Sequence, residues 1–114
     1  MPARPKILPI RFFRTSEGRE PVREWLKELT VAERKTIGDD LRTLQLGWPM
    51  GMPLVRSLAG GIWEARTRRP NRNARVLFTM FESQAVLLHG FIKKSQTTPL
   101  QDLRLAQRRK RELT

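Results

Sequence analysis

Apolar residues recur along this chain with two different periods, and each period predicts a different kind of element. Val22, Trp25, Leu26 and Leu29 fall at i, i+3, i+4 and i+7, the stripe of an amphipathic helix. Pro21 fits the first turn of that helix. Thr30 with Glu33 forms a capping-box pattern and opens a second helix, with Ile37, Leu41 and Leu44 as its apolar positions. Gly47 and Pro49 end it. Little chain separates the two helices, so they are expected as a hairpin. From Ile62 the period drops to two. Residues 62–67, 75–81 and 85–93 read as three successive strands. Pro70-Asn71 and residues 82–84 supply turns, and such short links imply an antiparallel meander.

The ends complete the order. Ile10, Phe12 and Phe13 mark a short first strand over 10–14, and the prolines at 2, 5 and 9 make residues 1–9 an extended arm. Thr98-Pro99-Leu100-Gln101 is a second capping-box start. Asp102 in its first turn and Arg108 to Arg111 in its last turn match the helix dipole. The expected order is β-α-α-β-β-β-α, an α+β fold in a single domain over 1–114.

Side chains alternate across a strand, so parity assigns faces. Trp63 and Ala65, then Val76, Phe78 and Met80, then Val86, Leu88, Gly90 and Ile92 are expected to form the core face under the helices. The opposite face gathers Glu64, Arg66, Arg75, Leu87, His89, Phe91 and Lys93, and is expected to be open.

Composition sharpens the picture. Of 114 residues, 23 are Lys or Arg and 11 are Asp or Glu, a net charge of +12 with no Cys, one His and no Tyr. No Cys means no disulfide, thiolate zinc site, iron–sulfur cluster or Cys nucleophile. One His removes any two-His metal site, so neither metal nor cofactor is expected. A pI near 11.6 favours a polyanionic partner. No apolar run approaches the ~20 residues that span a membrane, and no signal peptide is read at the N-terminus. A cytoplasmic protein is the expectation.

Arg68, Arg69 and Arg72 join Arg66 and Arg75 to put five arginines within 66–75. Cations with an interleaved ring, here Phe91, are the pattern of single-stranded RNA sites. Arg holds phosphate through a planar fork.

The strings GGIWEAR (60–66), ARVLF (74–78) and VLLHGFIKKSQTTP (86–99) resemble the HigB-like branch of the RelE/ParE superfamily. These are small toxins of type II toxin–antitoxin systems, often phage-associated. The resemblance runs from about Ile10 to Glu112, and HGF-x-KK-x-Q-x-TP is its specific part. Typical members carry Leu where Ile62 stands, a larger residue where Ala74 stands and Lys where Thr97 stands. The resemblance implies a RelE-like fold and a metal-independent mRNA interferase that cuts ribosome-bound message. It also implies neutralisation by a HigA-like helix-turn-helix antitoxin, often in a heterotetramer. By position, the implied site residues are Arg66, Arg75, Lys93 and Lys94. Other toxins of the group place lysines on the strand where this chain has Ile62 and Glu64, which leaves the proton acceptor open.

RNA is cut without metal when its own 2′-hydroxyl attacks the neighbouring phosphate. The 2′ proton must leave, the charge on phosphorus must be stabilised, and the departing 5′-oxygen must be protonated. Arg66 and Arg75 suit the second task. Lys93 and Lys94 add charge, and a cation cluster depresses a lysine pKa toward proton transfer. Glu64 or His89 could take the 2′ proton, and Phe91 could stack on a base. Each also has a plainer role: His89 as a hydrogen-bonder within the fold, Glu64 as the partner that holds the arginines, the lysines as ribosome contacts only. Two rival functions share these features, a ParE-like gyrase inhibitor and a non-catalytic basic adaptor. The nuclease requires the arginines and lysines to converge on an uncovered sheet face.

Overall fold

A computed structural model describes residues 7–68, 73–94 and 98–113, with Arg68 described by its backbone alone. The chain runs β1 (Ile10–Phe12), α1 (Pro21–Glu28), α2 (Val31–Gly47), β2 (Val55–Ser57), β3 (Trp63–Arg68), β4 (Asn73–Phe81), β5 (Gln84–Lys93) and α3 (Leu100–Arg111). Residues 1–6 of the expected arm, and the Pro70-Asn71 turn, lie outside the described residues.

The helical half follows the sequence pattern. Pro21 opens α1 and Val22 is buried. The capping box of α2 is complete: Thr30 accepts from the Glu33 amide, and Glu33 accepts from the Thr30 amide. Ile37 and Leu44 are buried on its inner face. α1 lies against β5 and β1, and α2 against β3.

The sheet departs from expectation in three ways. It has five strands in the order β1-β5-β4-β3-β2, because Val55–Ser57 adds an edge strand to β3. Three residues are too few to display a period. The sheet is also mixed rather than antiparallel, since β1 runs parallel to β5; two helices and three strands separate the pair, room enough for the crossover. The order is thus β-α-α-β-β-β-β-α.

The third departure concerns parity. Leu77 pairs with His89 but Phe78 pairs with Leu87, so Leu88 is an extra residue in β5. Such a bulge reverses which face the preceding residues take. Ala85 and Leu87 therefore join the core under α1 and α2, with Ile92 packed against it. Val86 and Leu88, expected there, lie in a second apolar cluster on the other face. Past the bulge the expected phase holds. Gly90 lies under Trp25, where an added Cβ would meet the ring at 2.3 Å.

That second cluster corrects the expectation of an open face. Leu103 and Ala106 of α3 pack with Phe13, Ile62, Leu77, Val86, Leu88 and Phe91. The sheet is covered on both sides. Longer polar side chains finish the seal: Gln107 donates to the Ala59 carbonyl at 3.4 Å, Arg109 to that of Leu88 at 2.7 Å and Lys110 to that of Gly60 at 2.9 Å. The start of α3 differs as well. Its N-cap is Pro99, without a side-chain cap, and the Thr98 hydroxyl donates to Glu64 instead. Among the described residues no helix is long and apolar enough to cross a membrane.

Candidate functional site

Strand register assembles the charged residues. Arg56 on β2 pairs with Glu64 on β3, Glu64 with Leu77 on β4, and Leu77 with His89 on β5. The next row is Arg66, Arg75 and Phe91, and beyond it Asn73 pairs with Lys93. Two arginines directly opposite repel, and Glu64 supplies the compensation. Its Oε1 lies 3.6 Å from Arg75 Nε and 3.9 Å from Arg66 Nε. Its Oε2 accepts from the Thr98 hydroxyl.

This group converges, but it is closed to solvent. Glu64 is 0% exposed, Arg75 3% and Lys93 5%. Arg75 also donates from Nη1 to the Ala74 carbonyl at 3.0 Å. Among the described residues, Glu64 Oε1 and Arg66 Nε make no hydrogen bond although both are sealed from water. Burial pushes the Lys93 amine below its ordinary range. The Glu64 carboxylate opposes that shift, while Arg75, Arg66 and Arg56 add to it.

Arg66 is the outlet of the cluster. Its side chain is 14% exposed. Its Nη1 reaches Met52 Sδ at 3.6 Å, and the residue lines a cleft of about 470 Å³ with Thr36, Asp40 and Thr43 of α2 and with Met50, Pro53 and Leu54.

The other expected site residues separate from this group. His89 Nε2 lies 2.6 Å from Asp102 Oδ1, tying β5 to α3. Its ring stacks on Phe91 at 5.4 Å between centroids, which occupies one face of the ring expected to meet a base. Lys94 is exposed beside the cluster. Arg69, Arg72 and the side chain of Arg68 lie outside the described residues. Three contributors escaped the sequence reading. Arg56 sits on the unforeseen strand β2. Thr98 was read as a helix cap, and Asp102 as a dipole partner rather than the acceptor for His89.

The family described as "Phage derived protein Gp49-like (DUF891)" matches residues 24–111, from within α1 to the end of α3. The chain belongs to this family. It is a RelE-like family associated with toxin–antitoxin systems. The match spans Glu64, Arg66, Arg75, Lys93 and Thr98, and leaves out β1. No curated protein matches the chain. In this Gp49-like protein, among the described residues, the guanidiniums of Arg66 and Arg75 lie nearest to one carboxylate, Glu64, whose charge also acts on the buried Lys93 amine.

Proposed function

We propose that this Gp49-like protein is the toxin of a type II toxin–antitoxin pair, an endoribonuclease that cuts message on the ribosome and is neutralised by a helix-turn-helix antitoxin. The observation that carries this reading is the meeting of Arg66, Arg75 and Lys93, from three strands, around one acidic group. Fixed cations in a dry site stabilise the charge that builds on phosphorus during 2′-hydroxyl attack. Arg66 and Arg75 take that role. Lys93, with its amine pushed down by burial, is suited to protonate the departing 5′-oxygen. Glu64, held between the guanidiniums and Thr98, is a positioning residue, and the 2′ proton passes to water or to a ribosomal group at the cleavage point. His89 is committed to Asp102. Exposed Lys94 provides a contact for RNA or ribosome.

Burial of Arg75, Lys93 and Glu64 favours a second reading, in which the cluster is structural and the toxin acts without cutting RNA, for example on gyrase. Expression in bacteria without the antitoxin separates the two. The nuclease arrests translation and leaves cuts in translated message, detected by primer extension. Arg66→Ala, at the most accessible member, relieves both effects while circular dichroism reports an intact fold. Full toxicity of that variant with no cuts would establish the second reading instead.

A further inference from the structure

We propose that the outer face of α3 is a docking surface for the sugar-phosphate backbone of base-paired RNA, held by Arg104, Arg108 and Arg111. The inference rests on the toxin reading only for where such RNA is met, in the ribosome. None of the three arginines belongs to the Glu64 cluster.

α3 divides by face. Ala106 is buried, and Leu103 packs with it on the second apolar cluster. Asp102 meets His89, while Gln107, Arg109 and Lys110 reach back to main-chain carbonyls. With 3.6 residues to a turn, all of these fall on one side of the helix. Arg104, Arg108 and Arg111 stand at i, i+4 and i+7 on the other side, and all three are exposed. They make a row about 10 Å long.

That row is uncompensated. Exposed arginines elsewhere face acids: Arg14 and Arg23 face Glu20, and Arg19 faces Glu24. Among the described residues Arg104, Arg108 and Arg111 make no ion pair. Asp102 is taken up by His89, and the charge of Glu112 acts on Arg109 of the inner face. Like charges three or four residues apart weaken a helix. The helix dipole offsets this for Arg108 and Arg111, which lie in the last turn, but not for Arg104. A bare row of like charge, kept against the stability of its own helix, is what an anionic partner would neutralise.

The chemistry of the face selects the partner. Single-strand sites interleave rings with their cations, and α3 contains no aromatic residue. Protein interfaces bury an apolar centre depleted of charge, whereas the exposed positions of α3 add only Leu100 and Gln101 to the three arginines. Guanidiniums fork onto phosphate. Set along a rigid rod without rings, they suit a duplex, which proteins recognise by its shape and backbone.

The test uses the full chain and an RNA duplex of about 16 base pairs, with binding followed by fluorescence anisotropy across a salt series. Each duplex phosphate neutralised contributes about 0.9 to the slope of log affinity against log salt. The triple variant Arg104→Gln, Arg108→Gln, Arg111→Gln is expected to show a slope shallower by about 2 to 3, and an affinity at low salt at least about tenfold weaker. The matched control Arg14→Gln, Arg19→Gln, Arg23→Gln removes the same charge from residues that already face acids, and should change the slope by less than about 1. Equal losses from the two triples would mean that RNA follows net charge alone, and overturn the proposal. Should the α3 triple fail to fold, an unchanged slope in Arg104→Gln overturns it. An unchanged duplex slope with lost binding to poly-glutamate would give the face to an acidic protein, and overturns it as well. Duplex binding lost in the α3 triple, while wild type leaves no cuts in translated message, would keep this surface and remove the nuclease. Cuts by wild type with an unchanged duplex slope in the triple would do the reverse.

Discussion

Among the described residues Glu64 is the one buried acid, beside the buried cations Arg75 and Lys93, so its charge carries the stability of its neighbours. Glu64→Gln keeps the shape and removes the compensation for Arg75 and Lys93. Breaking a buried pair by removing one partner typically costs about 3–5 kcal/mol, and that loss is expected here in urea unfolding at neutral pH. Lys93 behaves oppositely. Burial holds its amine below the ordinary lysine value, so the folded state binds this proton less well than the unfolded state. The resulting penalty is fully present below the folded pKa. It fades as pH rises through that value toward ~10.4, where the unfolded side chain also loses its proton. Lys93→Met is therefore expected to be more stable than wild type at pH 7, with the gap closing as pH rises. Denaturant titrations of both proteins from pH 7 to 10 check the sign; a gap that widens with pH would refute it. If Lys93 also serves the reaction, its removal trades activity for stability, as functional sites commonly do.

Among the elements, the decisive one is β5, because its bulge sets which face its two halves present. The extra residue lets Leu87 feed one core and Leu88 the other, and then restores the phase that sets His89 against Asp102 of α3. Gly90 follows directly, seated under the Trp25 ring of α1. Gly90→Ala would drive a methyl group into that ring. Overpacking of this kind costs about 1–3 kcal/mol, and a melting temperature lowered accordingly is the expected result. An unchanged value would mean that α1 yields easily. The same strand shows where the sequence was legible. Local signals survived: the α1 stripe, the Thr30–Glu33 box and the alternation of β3 and β4 depend on near neighbours alone. The β5 bulge depends on pairing with β4, and alternation counted along one strand cannot reveal it. β2 is too short to show a pattern. Helix α3 hid its covering role because only Leu103 and Ala106 pack directly on the second cluster, while Gln107, Arg109 and Lys110 attach it through carbonyls. Parity put Glu64, Arg66, Arg75 and Lys93 on one face, and the register brings them together there; their burial was not legible, because alternation along a strand says nothing of what packs over its face.

At the scale of the molecule, charge and burial must be read together. The net charge is +12, and much of the acidic complement is already engaged within the chain. Glu20 faces Arg14 and Arg23, Glu24 faces Arg19, and Asp39 faces Lys35. These exposed pairs add little stability, but they leave a surface on which unmatched cations dominate. Association with a polyanion should therefore be driven by counterion release, which only accessible cations provide. For single-stranded RNA the logarithm of affinity falls against the logarithm of salt with a slope of about −0.7 per phosphate neutralised. Exposed Lys94 belongs to that surface, whereas Lys93, one residue earlier, is sealed beside Glu64. With a short unstructured RNA, Lys94→Gln is expected to make the slope shallower by about 0.7, and Lys93→Met to leave it unchanged. Fluorescence anisotropy across a salt series measures both slopes. An equal loss from both variants would mean that RNA reaches the buried cluster by itself, and that the burial of Lys93 offers no barrier to a free strand.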